Sequence, residues 1–343
     1  MKKEASFWKK IKGKTVQCNL CPHKCRISEG KKGICGVRIN EDGVLYSLIY
    51  GSASSLTADP IEKKPLYHFY PGSYAFSLGS VGCNFKCAHC QNYTISTAEP
   101  SFAYLKDISP EQVVSSAIEH GCQGVSFTYN EPTIWHEFSL DSARLLKKEG
   151  LYTCYVTNGF ISEDPLREIS KYLDAMNIDV KAFSDGFYKN ICKARLQPVI
   201  DSCELAKELG IHIELTYLVI PSYNDSVSEI KDFCNWVVDK LGSTTPVHFS
   251  RFHPDYKMQD VPVTPMQTLL NAYEIAKKTG ILYPYLGNVS HGGYENTFCP
   301  KCGSLLIERR GFSIKYKGLN INKCVSCGSN IDIVVDKYKK QKI

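Results

Sequence analysis

The chain has 343 residues, 43% of them hydrophobic, with a formal net charge of +6. That length suffices for one large domain with appendages or for two ordinary domains. No stretch approaches the roughly 18 apolar residues that a membrane span requires, and the basic start "MKKEASFWKKIKGK" has no apolar core behind it, so no membrane partner is expected and a cytoplasmic location is the reading.

The charge is uneven. Residues 1–32 carry ten Lys/Arg against Glu4 and Glu29, and the tail "KYKKQKI" adds four lysines. These basic ends lack aromatic interleaving, so they read as a solvated surface, and nucleic acid is not expected as a partner. Sixteen cysteines in a chain without a secretory signal point to metal rather than to disulfides. Eleven of them fall into three groups; Cys122, Cys154, Cys192, Cys203 and Cys234 are scattered, and Cys122 and Cys154 read as small core residues.

The first group lies in "CNLCPHKCRISEGKKGICGVR" (18–38), where Cys18, Cys21, Cys25 and Cys35 form a four-cysteine site. Zinc and an auxiliary iron–sulfur cluster are both open for it, and His23 reads as a loop residue. Residues 1–73 are taken as a Cys-rich appendage too short to hold a core unaided.

From 74 to 294 the pattern alternates. Strands are predicted at 74–80, 124–129, 152–157, 175–182, 212–220, 247–252 and 282–287, with helical patterns between them. "DISPEQVVSSAIEHG" predicts Ser109 as N-cap, Pro110 at the first position and Gly121 past the end; "TPMQTLLNAYEIAKKTG" predicts the same with Thr264, Pro265 and Gly280. Six or seven βα units imply an α/β fold, a full or partial (β/α) barrel, whose chemistry belongs at the C-terminal strand ends.

The second group follows the first of these strands. "GCNFKCAHCQNY" spaces Cys83, Cys87 and Cys90 as C-x3-C-x2-C. Zinc with His89 or a distant residue as fourth ligand is one reading; a [4Fe–4S] cluster with one iron left open is the more specific one. The third group, Cys299, Cys302, Cys324 and Cys327, is two C-x2-C pairs 21 residues apart, each followed by Gly. This ribbon spacing predicts a closed structural zinc site in a C-terminal appendage over 295–343, with "LLIERRGFSIKY" as a hairpin between the pairs; a second Fe–S cluster and a rubredoxin-like iron are the alternatives.

"CNFKCAHC" resembles the signature of the radical S-adenosylmethionine (radical SAM) superfamily. The resemblance implies that SAM occupies the open iron and is reductively cleaved to a 5′-deoxyadenosyl radical, which takes hydrogen from a substrate. His89 then falls where the family has an aromatic ring beside the adenine. "FTYNEPT" (127–133) matches the family's Gly-Gly-Glu-Pro-like segment at Glu131 and Pro132, with Tyr129 and Asn130 in place of the glycines.

"VTNGF" and "NIDVKAF" resemble the pyruvate formate-lyase activating enzyme branch. On that likeness Asn130, Glu131, Thr157, Asn158, Asp179, Lys181 and His253 of "RFHPDY" are expected around SAM. Val156 stands where those enzymes have an acidic residue that helps hold a monovalent cation, so that cation is not carried over. The order of all these motifs is similar to the radical SAM enzyme of the AmmeMemoRadiSam system, which implies AMMECR-like and Memo-like partners beside a low-potential electron donor such as ferredoxin or flavodoxin. A glycyl-radical activase and a non-catalytic Fe–S/zinc protein that binds nucleic acid are the competing readings; no catalytic side chain beyond the cofactor contacts is assigned.

Overall fold

The computed structural model describes residues 1–101, 103–289 and 292–335; the lysine-rich tail lies outside the described residues. Its centre is an eight-stranded sheet. The strands are β1 (Ser55–Pro60), β2 (Tyr74–Gly79), β3 (Gly124–Phe127), β4 (Tyr152–Thr157), β5 (Ala175–Asp179), β6 (His212–Val219), β7 (Val247–Arg251) and β8 (Pro284–Gly287), in the spatial order β8-β7-β6-β5-β4-β3-β2-β1. Strands β2 to β8 are mutually parallel, and β1 runs antiparallel to β2. Among the described residues β1 and β8 do not pair, so the barrel is partial.

Six helices fill the crossovers: α1 (Pro110–Glu119), α2 (His136–Lys148), α3 (Glu163–Ile169), α4 (Gln197–Glu208), α5 (Val227–Trp236) and α6 (Met266–Thr279). Their starts are chemically marked. The Ser109 hydroxyl accepts from the Gln112 N–H while the Gln112 side chain accepts from the Ser109 N–H, a full capping box. The expected cap at Thr264 differs: α6 begins one residue later, with Pro265 at the N-cap position and no side-chain cap. The Thr264 hydroxyl instead accepts from the Phe252 N–H and donates to the Val219 carbonyl, tying the ends of β6 and β7 together. Strand β1 was not among the predicted elements; "SLTADP" sits in the N-terminal stretch yet extends the main sheet.

Apolar residues of the helices bury against the outer sheet face. Trp135 and Phe138 stack at 4.5 Å over Phe127, all within one continuous core. Losing such an aromatic costs about 3–5 kcal/mol.

The N-terminal end of the strands is closed by residues 61–73 and by the ribbon. Glu214 of β6 accepts from the backbone N–H groups of Tyr67 (2.9 Å) and His68 (2.7 Å), and is flanked by His212 and His248 at 3.1 and 2.7 Å. Arg309 of the ribbon donates to the Tyr67 carbonyl, the Glu295 carbonyl and the Thr297 hydroxyl, and lies over the Tyr67 ring. The predicted ribbon hairpin forms as β9 (Leu305–Arg310) and β10 (Ser313–Tyr316), paired antiparallel.

Residues 1–48 form two small antiparallel sheets, one joining Trp8–Lys12, Thr15–Cys18 and Arg26–Ile27, the other Lys3–Glu4, Arg38–Glu41 and Val44–Ser47. In the second, Asp42 and Gly43 both have positive φ, the backbone that a tight two-residue hairpin demands.

Candidate active site at the C-terminal strand ends

The strand ends and the segment 62–65 surround a cavity of about 510 Å³. Ten of the eleven residues expected at the cofactor line it: Cys83, Cys87, His89, Cys90, Asn130, Glu131, Thr157, Asn158, Asp179 and Lys181. His253 does not; it lies exposed, beyond the end of β7.

The cysteine loop is held by its backbone. Gly82, with φ +84°, lets the chain turn directly before Cys83. The Lys86 and Ala88 N–H groups donate to the carbonyls of Cys192 and Ile191. Two sulfurs receive polar contacts: Cys83 Sγ from the Phe85 N–H (3.4 Å) and Asn158 Nδ2 (3.7 Å), and Cys90 Sγ from the Ser96 hydroxyl at 3.2 Å. Burial pushes the Cys83 thiol well up, with Glu131 and the other two cysteines adding to it. Cys87 is likewise raised, first by its hydrogen bond to Cys192 and then by burial. Such thiols ionise only beside a strongly cationic group.

The three thiols act on one another electrostatically. This donor set fits an iron–sulfur cluster, whose corners hold thiolates apart. Such a cluster supplies a low-potential electron and, with three thiolates, one iron open to a further ligand.

Around the loop the side chains divide into fixed and available groups. Glu131 is fixed: its carboxylate accepts from the Thr133 N–H (2.9 Å), the Thr157 hydroxyl (2.6 Å) and the Asn158 N–H (2.8 Å). Burial pushes this carboxyl up while those donors pull it down. Asn130 links the Ser80 N–H to the Gly82 carbonyl, and Asn158 donates to Asn84 Oδ1 at 2.8 Å. The available groups are His89, Asp179 and Lys181. His89 is buried with both ring nitrogens unpartnered, and burial pushes it down to about 3. Lys181 Nζ donates to Asp179 at 2.7 Å. Burial would lower its ammonium, but Asp179 and Cys87 hold it above its ordinary value. A neutral ring, a carboxylate and an ammonium side by side are complementary to a zwitterion with an aromatic base.

Several cavity residues escaped the sequence reading. Lys64 enters from the opposite end, paired with Asp59 at 2.6 Å and lying 4.6 Å over the Tyr129 ring. Tyr129, at φ +72°, donates its hydroxyl to Asp59. His248 lines the cavity, and Cys192 sits behind Cys87. No local motif marks Lys64, His248 or Cys192, which chain segments far apart in sequence bring in; Tyr129 lies in the "FTYNEPT" segment, where the sequence marked it only as a replacement for a glycine.

At the other end, Cys299, Cys302, Cys324 and Cys327 have their sulfurs within 4.8 Å of one another, a four-cysteine metal-binding group. The Gly303 and Gly328 N–H groups donate to the carbonyls of Cys299 and Cys324, the turns that C-x2-C-Gly needs.

A profile of the radical SAM superfamily matches residues 78–237. The uncharacterized protein MJ0808 of Methanocaldococcus jannaschii is 47% identical over 335 residues, 97% of this chain and 100% of that one. The pyruvate formate-lyase-activating enzyme of Clostridium pasteurianum is 23% identical over 197 residues, 52% of this chain and 80% of that one. The solved structure of SuiB from Streptococcus suis superposes with a TM-score of 0.49 at 13% identity, over 64% of this chain and 48% of that one. Residues 78–237 therefore carry a domain of the radical SAM superfamily. Within it the chain falls in the branch like the pyruvate formate-lyase activating enzymes, and it is an enzyme that uses a [4Fe–4S] cluster and SAM and cleaves SAM to a radical. No helix among the described residues is long and apolar enough to cross a membrane.

Proposed function

We propose that Cys83, Cys87 and Cys90 hold the cluster and that SAM lies against it in the 510 Å³ cavity, its amino-acid end at Asp179 and Lys181 and its adenine beside His89. The observation that carries this reading is the convergence of three unpaired thiols, an orphaned buried imidazole and an Asp–Lys pair on one cavity wall. Asn130, Glu131, Thr157 and Asn158 act as the frame: they hold the loop and the strand ends at fixed separation, and Asn158 donates to a ligand sulfur. His253 is left out of the pocket on this account.

The radical formed there takes a hydrogen atom from a substrate held in the same cavity. Closure of the opposite end by residues 61–73 and the ribbon supports this, because a primary carbon radical needs a site that excludes water and oxygen. The division into residues 1–73, 74–294 and 295–343 is then shifted at its first boundary, because Ser55–Pro60 belongs to the barrel sheet, and zinc is the metal of the ribbon. A reduced one-electron carrier supplies the electron. The order of motifs supports AMMECR-like and Memo-like proteins as the first partners to test.

The test is anaerobic incubation of reconstituted enzyme with SAM and dithionite, followed by mass spectrometry. Methionine and 5′-deoxyadenosine are expected in equal amounts. A fully loaded cluster that binds SAM and yields neither would overturn the reading. Activation of a glycine in a partner enzyme is a second reading, favoured by the similarity to activating enzymes. It predicts deuterium transfer from a glycine of a polypeptide, rather than from a small molecule, into the nucleoside.

A further inference from the structure

The N-terminal four-cysteine group lies against the back of the Cys83–Cys90 loop, and two short bridges join them. His23, between Cys21 and Cys25, hydrogen-bonds through Nε2 to the Asn84 carbonyl at 2.8 Å, and Asn84 is the neighbour of Cys83. Cys35 presses its carbonyl on Gly82, where an added Cβ would lie 2.7 Å from that oxygen. The four N-terminal thiols stand within electrostatic reach of one another. The ribbon quartet, by contrast, brings its four sulfurs within 4.8 Å of one another. A single ion draws four sulfurs together, whereas the corners of a cubane keep them apart.

Their surroundings suit an anionic centre near the surface. Arg38, fully buried and paired with Glu137, points Nη1 at Cys18 Sγ, 3.8 Å away. Outside, Lys24, Arg26, Lys31 and Lys32 are exposed, and Lys86 and Arg195 flank His23. Ile34, next to Cys35, is 47% exposed among these cations. An apolar centre with a basic rim complements a small acidic protein.

We propose that Cys18, Cys21, Cys25 and Cys35 hold a second iron–sulfur cluster, the port through which one electron at a time passes from an acidic carrier protein to the cluster at Cys83, Cys87 and Cys90. Each transfer oxidises the carrier by one electron and reduces the N-terminal cluster by one; that electron then moves inward, and no bond or proton changes in these steps. The inference rests on the proposed role of Cys83, Cys87 and Cys90.

The experiment uses the full chain, reconstituted anaerobically, with iron and zinc counted and the reduced clusters observed by electron paramagnetic resonance. Wild type is expected to hold about eight irons, and both the Cys83/Cys87/Cys90→Ala variant and the Cys21/Cys25→Ser variant about four. The cluster surviving in the first variant should give a signal that SAM does not alter. With a photoreduced bacterial [4Fe–4S] ferredoxin as the electron source, the Cys21/Cys25→Ser variant should lose at least tenfold in the ratio of ferredoxin-driven to dithionite-driven SAM cleavage. Lys24→Glu with Arg26→Glu, a surface change that leaves all ligands in place, should lower the same ratio through a higher KM for ferredoxin. Zinc in the N-terminal quartet of wild type, or an unchanged ratio in both variants, overturns the proposal. Absence of dithionite-driven cleavage in wild type with both clusters present would overturn the proposed function instead.

Discussion

The two ends of the barrel are built on opposite terms. At the N-terminal strand ends charge is largely matched: Glu214 takes two backbone N–H groups and two imidazoles, and Arg309 donates through Nη1 and Nη2 to two carbonyls and a hydroxyl, leaving only its Nε, 4.0 Å from Glu62, without a hydrogen bond. At the C-terminal strand ends polar atoms are gathered but not used up: three thiols, both nitrogens of His89, and the Asp179–Lys181 pair face one cavity. Buried groups left in that state lower stability. They persist where a ligand completes them, so the contrast separates a closure from a site.

The largest expected effect breaks the site end. Cys83→Ala, Cys87→Ala and Cys90→Ala combined should remove about four irons and all 5′-deoxyadenosine formation, while thermal unfolding of the barrel changes little. Iron retained in full would sink the assignment. At the closed end, Cys302→Ser should release zinc and expose 295–335 to protease, since a quartet this small supplies much of the folding energy of its segment. Stoichiometric zinc with the wild-type cleavage pattern would count against it.

Glu214→Ala sharpens the comparison. It leaves two backbone N–H groups and His248 without their acceptor, at a cost of about 3–5 kcal/mol. Burial alone would raise the Glu214 carboxyl, but the hydrogen bonds from His212 and His248 hold it well below its ordinary value of 4.5. Its stabilisation is therefore complete above about pH 4.5 and is lost as the pH falls through the folded value. Denaturant titrations of wild type and variant should converge in acid. Parallel curves would mean that Glu214 is not the group responsible.

Much of the site end was legible because its signals are local. The C-x3-C-x2-C loop, Glu131, Asn158 and the Asp179–Lys181 spacing each sit within a few residues of a strand whose pattern could be read. The closed end was not legible. Glu214 meets Tyr67 and His68 only because residues 61–73 fold back beneath β6, and Arg309 reaches Tyr67 across 242 positions. Lys64 has the same history; "EKKP" carries no mark of a lysine that will stand inside a barrel. The shift of the α6 cap from Thr264 to Pro265 is tertiary too, since the hydroxyl that should cap a helix is already bonded to two strands.

A smaller effect is expected from Asp179→Ala. The carboxylate is partly open and its partner Lys181 remains, so iron content should be unchanged while SAM binds about tenfold more weakly, the worth of one charge-assisted contact. Equilibrium binding to the reconstituted protein measures it. Wild-type affinity would remove Asp179 from the pocket.

The smallest effect concerns Cys192, which makes a fourth sulfur beside the loop. It is fully buried and hydrogen-bonded to Cys87, and its carbonyl and that of Ile191 hold the loop backbone. A fourth thiolate on the cluster would close the open iron and leave no place for SAM. The geometry argues against that role: Cys83, Cys87 and Cys90 line the cavity, whereas Cys192 stands behind them and does not. Its thiol is better placed to donate to a ligand sulfur, a contact from outside the ligand set. Cys192→Ser keeps a donor in that position, so iron content and the change in the cluster spectrum on adding SAM should both match wild type. Cys87→Ala tests the converse: with three cavity thiols reduced to two and Cys192 still present, the site should no longer hold four irons. If the Cys87→Ala protein retains a full cluster and the Cys192→Ser protein does not, the ligand set is the other three sulfurs and the open position lies elsewhere in the cavity.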